Sequence, residues 1–253
     1  MRGIPRPARA PAGRPGSLAG MTQPPPVAVV TGANRGIGLE VCRQLAGRGY
    51  AVVLGSRDPD KGRRAAARLG DPPGVTPCQL DVADDHSVRA AARWVAERFG
   101  RCDALVNNAA IHYDPGARAA SADLAVVHQA IETNLFGAWR TTLALLPLLR
   151  RSGHGRIVNV SSEAGSLAGM GAGAPAYQVS KAALHALTRT LAAELRPAGI
   201  LVNAICPGWT ATDMGGPGGR PVADGAASVV WGVTLPDDGP TGRFFRDGRP
   251  LRW

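Results

Sequence analysis

Val27-Ala28-Val29-Val30-Thr31-Gly32-Ala33-Asn34-Arg35-Gly36-Ile37-Gly38 is the stretch that decides the fold. Its first residues are a short apolar run of the kind that forms a buried strand, and the periodic stretch Ile37–Arg48 beyond it reads as an amphipathic helix. Between the two, Gly32 permits a tight turn, Gly36 lets the backbone approach a pyrophosphate, and Gly38 allows helix and strand to pack closely. The helix then offers unpaired N–H groups and the positive end of its dipole to anything lying before it, which suits phosphate. Glycines near a turn are a weak signal alone. Their position after an apolar strand and before a helix makes a dinucleotide-binding loop the expectation.

The same alternation continues along the chain. Strand patterns cover Val27–Thr31, Ala51–Leu54, Val75–Gln79, Ala104–Asn107, Arg156–Val160, Ile200–Ile205 and Arg243–Phe245. Amphipathic stretches lie between them at Ile37–Arg48, Lys61–Leu69, Ser87–Phe99, Leu124–Leu149, Ala176–Leu195 and Val222–Val233. Each crossover must return along the sheet, so regular alternation predicts parallel strands covered by helices on both faces. Several strands are apolar throughout, as doubly covered strands are. The expected fold is α/β: a single doubly wound Rossmann-type domain over residues 27–253, with a parallel sheet of about seven strands.

Composition narrows the function classes. The net charge is +10, but Arg2, Arg6, Arg9 and Arg14 lie in the first 20 residues with no acid among them. The other arginines are scattered among acids along helices, which argues for a solvated surface and against a nucleic-acid partner. No run approaches the ~20 apolar residues that a membrane span requires. Cys42, Cys78, Cys102 and Cys206 form no CxxC pair and have no histidine at zinc-finger spacing, so they read as reduced thiols of a cytoplasmic protein. No group of His, Cys and carboxylates suggests a metal. Residues 1–26, rich in Pro, Arg, Ala and Gly, are expected to be a disordered tail. A transit peptide is the sharper alternative, against which the tail's prolines count. A chain starting at Met21 should keep the melting temperature and activity of the whole.

A second motif is Tyr177-Gln178-Val179-Ser180-Lys181. Residues four apart share a helix face, which puts a phenol and an ammonium into one space. Free tyrosine has a pKa near ~10; an adjacent Lys⁺ stabilises the phenolate and should draw that value toward neutrality. The chain holds 29 basic residues, of which only Lys61 and Lys181 are lysine. An ammonium beside the tyrosine therefore stands out.

Together these motifs resemble the short-chain dehydrogenase/reductase superfamily over roughly residues 27–250. The glycine loop is similar to its TGxxxGxG element and Tyr177/Lys181 to its YxxxK pair. Asp81-Val82 follows the third strand, Asn107-Asn108-Ala109-Ala110 ends the fourth, Asn134 sits in the helix before the fifth, Ser161-Ser162 closes the fifth, and Pro207-Gly208 through Thr212 follows the sixth. The resemblance implies that Tyr177 exchanges a proton with the substrate oxygen and that Ser162, followed at the family's spacing by Gly165, hydrogen-bonds that oxygen. It also implies that Lys181 binds the nicotinamide ribose and lowers the tyrosine pKa, and that Asn134 holds a relay water. Cofactor contacts are implied at Gly32, Asn34, Arg35, Gly36, Ile37, Gly38, Ser56, Arg57, Asp81, Val82, Asn108, Ala109, Tyr177, Lys181, Pro207, Gly208, Thr210 and Thr212. Substrate contacts are expected from His112 and Tyr113, from residues 163–170, and from a mobile substrate loop around 209–222. His112 is expected as a pocket wall or surface residue.

Thr31–Gly38, Ser56-Arg57-Asp58 and Phe244-Phe245-Arg246-Asp247-Gly248 resemble carbonyl-reductase-like members, which implies reduction of a carbonyl, or oxidation of an alcohol, by a homodimer or homotetramer. NADP(H) is expected over NAD(H), because Ser56 stands where an NAD-selective acid would be and Arg57 and Arg35 can pair with a 2′-phosphate. Asp58 is the competing acid if the alignment slips by two. The main alternative is a non-catalytic dinucleotide-binding regulatory protein of the same fold.

Overall fold

The computed structural model describes residues 24–72 and 74–253. The expected tail falls mostly on residues 1–23, outside the described residues. Of its last three, Pro24 is anchored by the Arg101 guanidinium, which donates to its carbonyl at 3.0 Å, and Pro26 accepts the Ala51 N–H at 2.8 Å.

The strands are β1 Val27–Val30, β2 Ala51–Ser56, β3 Val75–Gln79, β4 Ala104–Asn107, β5 Arg156–Val160, β6 Leu201–Ile205, β7 Phe244–Arg246 and β8 Arg249–Pro250. They lie in the order β3-β2-β1-β4-β5-β6-β7-β8. Every pair is parallel except the last. The eighth strand was not expected. It forms because Asp247 and Gly248, both at positive φ (53° and 74°), make a two-residue hairpin that turns the chain back on β7.

The helices are α1 Gly36–Ala46, α2 Pro59–Arg68, α3 Asp85–Phe99, α4 Leu124–Ile131, α5 Gly137–Leu149, α6 Pro175–Leu195 and α7 Val222–Val233. Strand residues alternate between two cores. Ala28, Val30, Val52 and Leu54 pack with Val41 and Leu45 of α1 and Val229 and Val233 of α7. Val29, Val53, Leu105 and Ile157 pack on the other face with α3, α5 and α6. β1 lies between β2 and β4, and the crossovers from it run in opposite directions. This is the switch point, where the carboxyl ends of the strands open into a crevice.

The stretch 124–149, expected as one helix, is interrupted by a π-helical turn at Glu132–Phe136. The turn contains Asn134, and single π-turns inside α-helices are frequent at functional sites.

Candidate active site

A cleft of about 600 Å³ opens at the switch point. Its floor is the glycine loop, where Gly32 and Gly36 have φ values of 61° and 55°. At Gly38 a Cβ would lie 2.4 Å from the Asn108 amide nitrogen, so only glycine lets that side chain in. Asn108 uses the opening to donate to the carbonyls of Thr31 (2.9 Å) and Gly32 (3.1 Å). The Thr31 hydroxyl accepts the N–H groups of Asn108 and Ala109, both at 3.0 Å. The glycine loop is thus locked to the end of β4. Gly32, Asn34, Arg35, Gly36, Ile37, Gly38, Asn108 and Ala109 all line the cleft, as do Asp81, Val82, Pro207 and Thr212.

One end of the cleft is cationic. Arg35, Arg57 and Arg68 line it together. Arg35 pairs with Asp213 at 2.5 Å, both side chains being largely exposed, while no carboxylate pairs with Arg57 or Arg68 among the described residues. Asp58, the competing acid, does not line the cleft. It caps α2, its Oδ1 accepting the N–H groups of Asp60 (2.9 Å) and Lys61 (3.1 Å). Ser56 corrects an expectation. It is buried against α2, its hydroxyl donates to the Asp58 carbonyl at 2.7 Å, and it does not line the cleft. The pleat turns Ser56 toward α2, where Gly62 leaves it room, so the next residue, Arg57, is the one that reaches the cleft.

The other end holds the phenol and the ammonium. Tyr177 and Lys181 line the cleft from the first two turns of α6. The Lys181 Nζ donates to the Val160 carbonyl at 2.8 Å and lies 5.6 Å from the centre of the Tyr177 ring. Burial lowers the lysine pKa to about 8. Burial also pushes the tyrosine up to about 12, against a smaller opposing effect of the adjacent Ser162 hydroxyl. The expected lowering of the tyrosine pKa by Lys181 is therefore not found. A phenolate here would lose its hydration, and that cost outweighs the help of the neighbouring hydroxyl.

Ser162 caps the short turn after β5, its Oγ accepting the Ala164 N–H at 3.1 Å, and stands next to Tyr177 without lining the cleft. The Ser161 hydroxyl is instead 2.7 Å from the buried His185 Nε2. Asn134 is 1% exposed, and its side chain is committed to the protein. Its Oδ1 accepts the Ile111 N–H (2.8 Å), and its Nδ2 donates to the Ile111 carbonyl (3.0 Å) and the Ser180 hydroxyl (2.9 Å). It ties the loop after β4 to α6. His112, from that loop, stacks on Tyr177 with ring centres 4.6 Å apart.

The segment around 209–222 carries more internal bonding than its glycines suggest. Trp209 Nε1 donates to the Gly215 carbonyl at 2.6 Å, bridges join Thr210 to Arg220 and Thr212 to Gly216, and Arg220 pairs with Asp247 at 2.9 Å. Gly208 and the buried Thr210 shape the turn into this segment and do not line the cleft. Among the described residues no cluster of His, Cys, Asp and Glu is arranged to hold a metal, and no helix is long and apolar enough to cross a membrane.

Sequence reading missed Arg68, Asp213 and the paired role of the loop after β4. α2 carries Arg63, Arg64 and Arg68 alike, and only the crossing of α2 over the glycine loop brings the last of them to the Asn34 carbonyl, at 2.7 Å.

Residues 26–220 match the short chain dehydrogenase family. The chain is 33% identical to (+)-neomenthol dehydrogenase of Capsicum annuum, over 86% of this chain and 94% of that one. It is 35% identical to carbonyl reductase [NADPH] 1 of Sus scrofa, over 90% and 94%. The NADPH-bound carbonyl reductase from chicken fatty liver superposes with a TM-score of 0.83 at 29% identity, over 90% of this chain and 94% of that one.

Proposed function

The chain belongs to the short chain dehydrogenase family, and from that premise we propose that it is an NADPH-dependent carbonyl reductase, with Tyr177 as the group that exchanges a proton with the substrate oxygen. The observation that carries this reading is one cleft with the glycine loop and the arginines at one end and Tyr177 and Lys181 at the other, Ser162 standing behind the tyrosine.

The residues fit the cofactor. The glycine loop and the start of α1 suit the pyrophosphate, and Asp81 and Val82 border the adenine position. Arg57, Arg35 and Arg68 supply planar donors for a 2′-phosphate, and Asp58 does not line the cleft. When bound, the nicotinamide supplies the hydride. Tyr177, protonated across the neutral range, is in the form that reduction needs, and Ser162 stands where it can hold the same substrate oxygen. Lys181 keeps its charge below about pH 8, so it offers the ribose hydroxyls a donor and the developing phenolate a countercharge. Asn134 acts as the brace between the loop after β4 and α6.

The cytoplasm is the expected compartment. We infer a homodimer or homotetramer, supported by the exposed apolar residues Phe136, Trp139 and Leu143, which follow one another at helical spacing along one side of α5 and its approach.

The test is a panel of aldehydes, ketones and quinones, incubated with NADPH or NADH and followed by cofactor absorbance. Turnover of at least one carbonyl with NADPH, and a kcat/KM for NADPH well above that for NADH, is expected. Tight NADPH binding with no turnover across the panel would favour the non-catalytic regulatory alternative.

A further inference from the structure

α6 begins under an unusual local condition. Ala174, at its N-cap position, sits at φ +44° and has no side chain that can accept a hydrogen bond. Pro175 at the first helical position has no N–H. The first free donor is therefore the N–H of Ala176, and the next residue is Tyr177. A helix start without an acceptor is costly when buried, and Ala176 is 1% exposed.

The missing acceptor arrives from a remote part of the chain. Asp114, in the loop after β4, accepts the Ala176 N–H on Oδ2 at 2.7 Å across 62 residues of sequence. Its carboxylate is buried, with 8% of the residue exposed. The other oxygen, Oδ1, lies 4.0 Å from His112 Nε2, and neither of these buried atoms has a hydrogen-bond partner. His112 is the ring stacked on Tyr177. Asp114 thus touches the tyrosine's surroundings twice, through the backbone just before it and through the imidazole packed on its face. The Asn134 brace holds the same loop a few residues earlier, at Ile111.

We propose that Asp114 is the positioning residue for Tyr177: it caps α6 in place of the absent local cap, and so sets where the phenol sits relative to Ser162 and the cleft. It acts through Tyr177 and Ala176 rather than on substrate. Displacement of a reacting group by about 1 Å costs on the order of 10²-fold in rate, whereas the glycine loop and the arginines lie outside this contact. Loss of Asp114 should therefore separate turnover from cofactor binding. The proposal rests on the reading of Tyr177 as the acid/base.

The experiment uses the full chain and a carbonyl substrate found in the panel. Asp114→Ala is expected to lower kcat by roughly 10- to 100-fold, with KM and the NADPH Kd, read by protein fluorescence, within about twofold of the parent. Asp114→Asn keeps an oxygen able to accept the Ala176 N–H and should restore kcat to within about threefold. If Asp114→Ala is insoluble, Asp114→Ser, too short to reach the helix, replaces it in each comparison. An alanine or serine variant with near-parental kcat overturns the proposal. So does an asparagine variant as impaired as the alanine one, or loss of NADPH binding in parallel with turnover. Tyr177→Phe measured alongside separates the two readings. If it stays active, the acid/base assignment itself fails; if it is inactive while Asp114→Ala turns over normally, only the positioning role fails.

Discussion

At one end of the cleft Arg57 and Arg68 hold exposed guanidiniums that pair with no carboxylate among the described residues; at the other, Lys181 is 2% exposed and rests its ammonium on a backbone carbonyl. Solvent screens the first set, so each arginine costs the folded protein little and contributes once an anion binds. The second set is desolvated. Burial shifts both its titrating groups toward their neutral forms, which is why their chemistry differs from that of free side chains; for Lys181, charged in the unfolded chain at neutral pH, it is also a standing cost to stability. The cationic end should therefore govern which cofactor binds. The buried end should govern whether anything reacts, at some expense in stability.

The sharpest break of that division is Tyr177→Phe. It should lower kcat by about 10²–10⁴-fold, the usual worth of general acid/base catalysis, while the NADPH Kd stays within about twofold. Comparable loss of binding would show that the two ends are not separable.

Lys181→Met tests the stability cost. Burial takes the lysine from 10.5 to about 8, so at pH 7 the charged form is disfavoured in the fold by roughly 3 kcal/mol. The penalty is fully present below about pH 8 and fades as pH rises toward 10.5, because over that window the unfolded chain binds the extra proton. The variant should unfold at higher denaturant than the parent at pH 7, the gap should narrow between pH 8 and 10.5, and turnover should fall sharply. A variant less stable at pH 7 would mean that the bond to Val160 outweighs desolvation.

Effects at the cationic end should be smaller and confined to the phosphorylated cofactor. Arg57→Ala removes a charged hydrogen-bonding partner worth about 1.5–3 kcal/mol, which predicts an NADPH Kd about 10- to 100-fold higher and an NADH Kd unchanged. Equal weakening of both cofactors would place Arg57 elsewhere than on the 2′-phosphate. Arg68→Gln should have the least effect, a NADPH Kd up by a few-fold to about tenfold, since its guanidinium already spends one N–H on Asn34. Titrations with 2′,5′-ADP against 5′-AMP would isolate that contribution.

Much of this was legible in the chain itself. β3, β4, β5 and α7 begin and end at the expected residues, because each is bounded by residues that interrupt its apolar period. The glycine loop was legible for the same reason: turn, close approach and helix start are local demands, met by neighbouring residues. The continuous helix over 124–149 was misread, since a π-helical turn leaves the apolar spacing almost intact while redirecting Asn134. The eighth strand was missed although Asp247-Gly248 is a hairpin turn, because two residues are too short for any period to show.

The sequence by itself determined the doubly wound α/β domain, the phosphate-binding loop and the pairing of Tyr177 with Lys181, all of which depend on residues within a few positions of one another. Only the tertiary structure decided how the site is tuned. It turned Ser56 into the core, brought Arg68 from α2 to the glycine loop, gave α6 its cap from Asp114, and raised the Tyr177 pKa where spacing alone predicted a fall. The reason is physical: periodicity and turn chemistry act over a few residues, whereas desolvation and remote hydrogen bonds depend on what the fold packs around each group.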